Sequence, residues 1–560
     1  MNMEGSLNNI MQRFRAQEEL FAPRPGRLAL QRMKLDIPNP RRVSVNVWRN
    51  HAIEPVISLA GPFMAYGRWL ADFRMSDYDD AMMFDGHAEA DVELLWLDSG
   101  RYFADTGFSG WSDWLVSRLK VLRKATKAPI VIALWLKDGG QCARLKEMTD
   151  ALPAVYLADM GAVCMEAGVE LLDPRSASVA GTPVGKSAQP MLARKLACHW
   201  LPAAVFPPVK ALVLDIDNTL HAGILGEDGI FGVHLTRQHQ AFQSYLKTLR
   251  QRGVFIALAS RNERRDVEEL FARRADYPLK LDDFSVTEVS WGEKHAAIKR
   301  IADKLRIAPD AVLFVDDNPG ELASVAVCMP QVHTVFAHPD ASITQRAVEF
   351  YPGLWRWKTG PDDSKRVRDL AANAEREELF VKSAGSDEYF CSLEISLINR
   401  FDPVEQLDRL SELCSKTNQF NLALRRFNQA ELSWLIERDD ACVASVQLKD
   451  RLSDSGVIAV IAAERSGEEL AIEELCVSCR ALGRRLEDTI ILGAISGMPL
   501  FAGCSRVVFR VQHGPRNQPA LRWLSELFGL KEIPGPGLYP LESGRISGFV
   551  PVKGVTLAGR

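Results

Sequence analysis

Three short runs bring together the side chains that phosphoryl chemistry needs: Asp215-Ile-Asp217-Asn-Thr219, Ser260-Arg-Asn262 and Asp316-Asp317-Asn318, with Lys294 between the second and third. Each follows an apolar stretch, so each is expected at the carboxyl end of a strand, where open parallel sheets gather ligands. Alternation along a strand would turn Asp215 and Asp217 to one side, where both could meet Asp316 or Asp317 around one hard cation. Oxygen donors in that number suit magnesium, so the expected metal set is Asp215, Asp217, Asp316 and Asp317. Asp215 would then attack phosphorus in line as nucleophile, while Asp217 would protonate the leaving oxygen and later activate water. Ser260 and Lys294 would offer a hydroxyl and an ammonium to the equatorial oxygens, because this chemistry is mainly positioning and charge neutralisation. Thr219, Asn262 and Asn318 are the expected substrate contacts. A lone Asp-x-Asp is more often a cap or a solvated pair of charges; four such elements in this order are not.

The elements that must position these residues alternate in type. ALVLDID (211–217), VFIALAS (254–260) and AVLFV (311–315) read as buried strands, with helices between them marked by Phe242, Tyr245, Leu246 and Leu249 and by Ile298, Ile301 and Leu305. That order predicts a parallel, Rossmann-like sheet over residues 206–355. Upstream, VELLWLD (92–98) and IVIALWL (130–136) predict a second α/β domain over 51–205, with a loop at 176–190. Residues 1–50 are polar and Arg-rich with a break at Pro38-Asn39-Pro40, and read as a leader arm or linker. Residues 356–385 read as a charged linker helix. From 386 to 560 the pattern changes: CVASVQLKD and VIAVIAAER flank a turn at Ser453–Gly456, a strand runs to about Ser478, a helix starts near Gly483, and strand VVFRVQ precedes a helix bearing Leu521, Leu524 and Leu527. This order predicts a mixed sheet in an α+β domain, and the whole chain is an α/β multidomain protein.

Bulk properties narrow the field. With 560 residues, 47% hydrophobic and 25% charged, the chain is sized for several domains and is neither disordered nor collagen-like. Its formal net charge of -4 argues against broad nucleic-acid binding. No apolar run reaches the roughly 18 residues of a spanning helix, and MNMEGSLNNIMQRFRAQEEL lacks the form of a secretory signal, so no membrane contact is expected. Ten scattered cysteines suit reduced thiols and a cytoplasmic setting. Cys476 and Cys479 form the one close pair; no second pair completes a zinc site.

The motifs also resemble a known family. LVLDIDNTLHAGILGEDG, LASRNERRDVEELF, LKLDDFSVTEVSWGEKHAAIKRIA and FVDDNPGELASV are similar, in order, to the four motifs of haloacid dehalogenase (HAD) enzymes, and specifically to the FkbH-like branch. His221 and Ala222 stand where that branch usually carries Trp and Gly. KTNQFNL (416–422), ASVQLKDRLSDSG (444–456) and SCRALGRRLE (478–487) resemble the rest of the FkbH-like pattern, whose C-terminal part is similar to the GNAT acyltransferase fold; the match covers at least residues 210–560. The resemblance implies a central HAD domain, a GNAT-like domain, and an N-terminal domain of SGNH-hydrolase type. That last domain has no Gly-Asp-Ser nucleophile motif; Ser58 is expected at a strand end, and a structural or docking role is expected of the domain. The implied activity is that of a glyceryl transferase–phosphatase: it takes 1,3-bisphosphoglycerate, removes its phosphates and loads a glyceryl unit on an acyl carrier protein, serving a secondary metabolite or surface-glycan pathway.

Within that frame, Arg480, Gly483 and Arg484, at a strand-to-helix junction, are the expected contacts for a phosphopantetheine arm, through backbone N–H groups and a helix N-terminus. Cys479 would be the acyl-carrying thiol, activated by Arg480 and the helix dipole, or else a buried, inert cysteine. Lys416, Arg425, Arg426, Arg484 and Arg485 form a basic cluster that could receive an acidic carrier protein. The alternative is a plain magnesium phosphatase of a small phosphorylated metabolite, with a non-catalytic C-terminal binding module. A scaffold with a vestigial site fits poorly with the intact acidic motifs.

Overall fold

A computed structural model describes residues 3–78, 82–84, 86–102, 107–176, 181–358, 360–383 and 385–559. Two compact units result. The first comprises Met1–Arg250, Val254–Lys304 and Ala308–Lys358; the second comprises Gln251–Gly253, Leu305–Ile307 and Thr359–Arg560.

Unit 1 holds two parallel five-stranded sheets. The first contains β1 (Arg41–Arg49), β2 (Trp69–Met75), β3 (Val92–Trp96), β4 (Ile130–Leu134) and β5 (Val155–Asp159), in the order β2-β1-β3-β4-β5. β3 and β4 are buried along their whole length, as strands covered on both faces must be. The second contains β6 (Ala211–Leu214), β7 (Phe255–Ser260), β8 (Val286–Val289), β9 (Val312–Asp316) and β10 (His333–Phe336), in the order β10-β9-β6-β7-β8. β9, β6 and β7 are therefore neighbours, which sets the ends of three motif-bearing strands side by side. One continuous cluster of buried apolar side chains includes Val45 and Trp96 from the first sheet and Leu212 and Leu258 from the second.

The leader arm expected at 1–50 is instead part of this unit. Met3–Leu20 is a helix, and β1 is an interior strand whose Val43, Val45 and Val47 are buried. Arg13 Nη2 donates to the Thr334 carbonyl at 2.8 Å and Gln17 Nε2 to the Phe336 carbonyl at 3.1 Å, binding that helix to β10. Its polar side chains serve internal hydrogen bonds rather than solvent. Ser58 lies inside the helix Glu54–Tyr66, donating to the Pro55 carbonyl, and not at a strand end. Of the loop expected at 176–190, residues 177–180 lie outside the described residues, while Thr182, Val184 and Ala188 are buried.

Unit 2 is built on a seven-stranded mixed sheet. Its strands are β11 (Ile395–Phe401), β12 (Ala441–Lys449), β13 (Asp454–Ser466), β14 (Glu469–Val477), β15 (Arg506–Val511), β16 (Gly537–Glu542) and β17 (Val555–Gly559), ordered β16-β15-β14-β13-β12-β11-β17. The hairpin expected around Ser453–Gly456 is β12–β13. β14 and β15 run parallel but pair only over Glu469–Ile472 and Arg506–Phe509. Beyond that they part, and Phe420–Leu422 fills the gap: Val477 N donates to the Phe420 carbonyl at 2.9 Å, Leu422 N to that of Leu475 at 3.2 Å, and Gln512 N to that of Leu422 at 2.8 Å.

The helix Pro361–Lys382, expected as a linker, is tied into unit 2 by buried charge. Arg376 bonds Asp450 and Asp369, and Asp369 accepts from Ser453 of the β12–β13 turn and from Ser455 at the start of β13. No described helix is long and apolar enough to cross a membrane.

Candidate active site

The carboxyl ends of β6, β7 and β9 deliver the expected residues of unit 1. Asp215 follows β6 directly, its N–H still paired to the Val315 carbonyl at 3.0 Å, which fixes its backbone against β9. Ser260 ends β7, Asp316 ends β9, and Lys294 opens the helix Lys294–Lys304. Lys294 Nζ lies 2.5 Å from Asp215 Oδ1, 3.1 Å from Asp316 Oδ2 and 2.7 Å from the Ala259 carbonyl oxygen. Burial alone would lower the pKa of this ammonium, but the charges and hydrogen bonds of Asp215 and Asp316 outweigh it and raise it, so Lys294 stays cationic.

Ligand oxygens of Asp215, Asp316 and Asp317 lie within 4.8 Å of one another. Asp316 is 1% exposed. Its Oδ1 accepts from Asn318 N at 2.8 Å, while its buried Oδ2 faces Lys294 outside hydrogen-bond geometry. Burial, then the negative charge of Asp215, pushes the Asp316 carboxyl well up; Asp317 is raised for the same two reasons. Three carboxyl groups against one ammonium put more acid here than that cation balances. A hard dication is the group this donor set fits.

Asp217, expected as a fourth ligand, is not in that cluster. β6 ends at Leu214, and residues 216–219 turn, with Leu220 N donating to the Ile216 carbonyl at 2.9 Å, so strand alternation no longer aligns the two acids. The Asp217 carboxylate is held elsewhere: Oδ1 accepts from Leu225 N at 2.8 Å, Oδ2 accepts from Asn262 Nδ2 at 2.8 Å, and His221 Nε2 stands 3.4 Å from Oδ1. Burial would raise its pKa, but His221, Leu225 and Asn262 together hold it below the ordinary carboxylate range. Asn262 also donates to Ser260 Oγ at 3.0 Å, which leaves the serine proton uncommitted. The buried Thr219 hydroxyl has no hydrogen-bond partner among the described residues. Asn318 is spent on the fold: its Oδ1 caps the helix Pro319–Cys328 through Gly320 N and Glu321 N. His221 and the residue behind it, Tyr277, were not among the expected site residues; a histidine six residues past the nucleophile, in a turn rather than a strand, was the available signal.

The expected thiol and phosphopantetheine contacts of unit 2 fare differently. The helix starts at Glu487 rather than near Gly483, so its N-terminus does not adjoin Cys479. Arg480 is buried and donates to the Ser455 carbonyl at 2.8 Å. Arg484 is buried with Asp450 and Asp369, at 3.1 and 2.9 Å. Gly483 sits at φ +75° and its N–H donates to Glu487 Oε1 at 3.1 Å. These groups hold the loop together, and the edge of β14 beside it is occupied by Phe420–Leu422. Cys479 is half-buried, whereas Cys476 is sealed in the core with its thiol pushed well up by burial and by Cys414. The basic cluster is also largely committed: Lys416 pairs with Glu412, Arg425 with Glu473, Arg426 bonds the Ser415 carbonyl and Asn418, and Arg485 lies over the Phe380 ring.

No family model matches the chain, and no curated protein does. Among solved structures, it is similar to the N-terminal part of the protein BF1531 from Bacteroides fragilis, containing a phosphatase domain and complexed with Mg: 17% identity, TM-score 0.46, covering 61% of this chain and 99% of that one. It is also similar to a GCN5-related glucosamine N-acetyltransferase region of a fungal multi-domain GH3 beta-N-acetylglucosaminidase: 9% identity, TM-score 0.18, covering 94% of this chain and 67% of that one. Likenesses this slight leave the site's chemistry to its own geometry.

Proposed function

We propose that the Asp215 centre is a magnesium-dependent phosphatase of the aspartyl-phosphate type. The observation that carries this reading is the excess of carboxylate over ammonium charge at the ends of β6 and β9. Magnesium held by Asp215, Asp316 and Asp317 would screen the repulsion between carboxylate and phosphate. Asp215 attacks phosphorus and forms an aspartyl phosphate as the ester oxygen leaves, taking a proton from Asp217. Lys294 and the Ser260 hydroxyl neutralise and orient the transferred group. Water then attacks the aspartyl phosphate, Asp217 takes its proton back, and inorganic phosphate leaves with Asp215 restored. Thr219 and Asn262 are the proposed substrate contacts.

A wider reading adds acyl transfer. In it Cys479 displaces the acyl-linked phosphate of 1,3-bisphosphoglycerate to form a thioester. The Asp215 centre removes the remaining phosphate ester, and the phosphopantetheine thiol of an acyl carrier protein displaces Cys479 to carry off the glyceryl group. Its support is the half-buried placement of Cys479 two residues past β14. The internal commitments of Arg480 and Arg484 favour the narrower alternative, a small-metabolite phosphatase with a non-catalytic unit 2.

One experiment separates them: intact mass spectrometry of a phosphopantetheine-bearing carrier protein incubated with this protein, magnesium and 1,3-bisphosphoglycerate, beside Asp215→Asn and Cys479→Ala. A glyceryl-sized gain needing Cys479, with phosphoglyceryl species persisting in Asp215→Asn, is the result for the wider reading. Magnesium-dependent phosphate release lost in Asp215→Asn, with no loading, leaves the phosphatase alone. No phosphate release from the wild type sinks both.

A further inference from the structure

Asp217 does not stand alone. His221 is fully buried; its Nδ1 lies 2.9 Å from the Tyr277 hydroxyl, and its Nε2, which has no hydrogen-bond partner among the described residues, faces Asp217 Oδ1 at 3.4 Å. Tyr277 is 1% exposed, and burial raises the pKa of its hydroxyl, which therefore keeps its proton. A phenol O–H donating to Nδ1 leaves the ring proton on Nε2, the nitrogen that faces the carboxylate. The opposite tautomer would set an imidazole lone pair against a carboxylate oxygen in a buried site, an arrangement of like partial charges.

From this we infer, resting on the phosphatase reading above, that His221 is a positioning residue: with its proton on Nε2, it faces Asp217 Oδ1 and so reserves Oδ2 for the proton exchanged with substrate. The lone pairs of Asp217 can be followed one by one. Oδ1 receives the Leu225 N–H at 2.8 Å and faces the His221 N–H. Oδ2 receives one N–H from Asn262 at 2.8 Å, which leaves its second lone pair open. In the first step a proton that Oδ2 takes up as the phosphate's negative charge enters the site moves to the departing ester oxygen as the phosphorus–oxygen bond breaks. In the second, Oδ2 takes a proton from the attacking water. His221 keeps its own proton throughout, and Tyr277 keeps its own. The 3.4 Å separation shortens when substrate brings negative charge into the pocket, as catalytic contacts commonly do.

The test uses the full chain with magnesium and two monoesters whose leaving groups differ in their need for a proton: p-nitrophenyl phosphate, which departs without one, and ethyl phosphate, which needs one. In His221→Leu the loss of kcat/KM on the ethyl ester exceeds that on the aryl ester by about tenfold, a fraction of what general acid catalysis supplies. Tyr277→Phe, which keeps the ring and removes only the hydroxyl, shifts the ratio the same way by about threefold and covers the case in which His221→Leu does not fold. In an Asp217→Asn background, adding His221→Leu leaves the ratio unchanged, because both act through one proton. Equal losses on the two esters, or an additive effect in the double variant, would reduce His221 to a packing role. A wild type active on both esters with unshifted ratios in the variants overturns this inference alone, whereas a wild type inactive on both overturns the phosphatase reading and this one with it.

Discussion

The acidic cluster of unit 1 and the buried charge network of unit 2 use the same residue types to opposite ends. In unit 2, Asp369 and Asp450 face Arg376 and Arg484, so two carboxylates meet two guanidiniums, and Ser453 and Ser455 take the remaining valences. In unit 1, Asp215 and Asp316 share the ammonium of Lys294 with Asp317 clustered beside them, and among the described residues the Ser260 proton and the Thr219 hydroxyl remain unspent. A charge-balanced, densely bonded network specifies a fold; an unbalanced one with idle donors is built for something that arrives later. Motif residues by themselves do not tell the two apart, since Arg484 and Lys294 are equally suggestive as letters.

That contrast can be broken by experiment, and the largest effect is expected in unit 1. Asp215→Asn should cut magnesium-dependent phosphate release about a thousandfold or more, because it removes the nucleophile, without lowering the melting temperature; a variant that retains activity would refute the aspartyl-phosphate route. Lys294→Met should cost roughly a hundredfold in kcat/KM and make the folded state depend more steeply on magnesium, since two carboxylates lose their one buried cation. Thermal melts with magnesium and with a chelator check the second half.

In unit 2 the effect should fall on stability. Asp369→Ala leaves Arg376 and Arg484 short of a counter-charge and should destabilise that unit by about 3–5 kcal/mol, read in denaturant titration. Acid should do the same more gently. Although burial acts to raise the Asp369 pKa, Arg484, Ser453 and Arg376 hold it below its usual value, so the folded form binds its proton less readily than the unfolded one. Its contribution is therefore complete above about pH 4 and lost as pH falls through the folded pKa. Acid unfolding of unit 2 that begins well above that point would contradict this. Smallest is Gly483→Ala, where a left-handed φ of +75° should cost about 1 kcal/mol. Loss of carrier loading in excess of that destabilisation would return the loop to a binding role.

Much of unit 1 was legible in sequence. The continuous apolar runs of β3, β4, β6, β7 and β9 are those of strands buried on both faces, and their terminal acids follow from that placement. β1 was hidden because Arg41 and Arg42 and the Pro38-Asn39-Pro40 break disguise an interior strand, and β8 because all four of its residues are only half-buried. The helix Met3–Leu20 looked like an arm because its polar residues bond the backbone of β10 rather than a pattern of their own. In unit 2 the hairpin was legible, but the fate of Arg480 and Arg484 was not, since their partners lie 25 to 115 positions away.

Apolar patterning and spacing alone predicted that Asp215, Ser260 and Asp316 would lie at strand ends and Lys294 at a helix start, because strand and helix periodicity are local properties of the chain. Only the tertiary structure decided which carboxylates share a cation site. The chain leaves β6 at Leu214 and turns before Asp217, and that single change of direction separates the acids Asp215 and Asp217 and hands the second to His221, Leu225 and Asn262. Hydrogen bonds and charge balance are three-dimensional sums, and no residue carries its own partner in its letter.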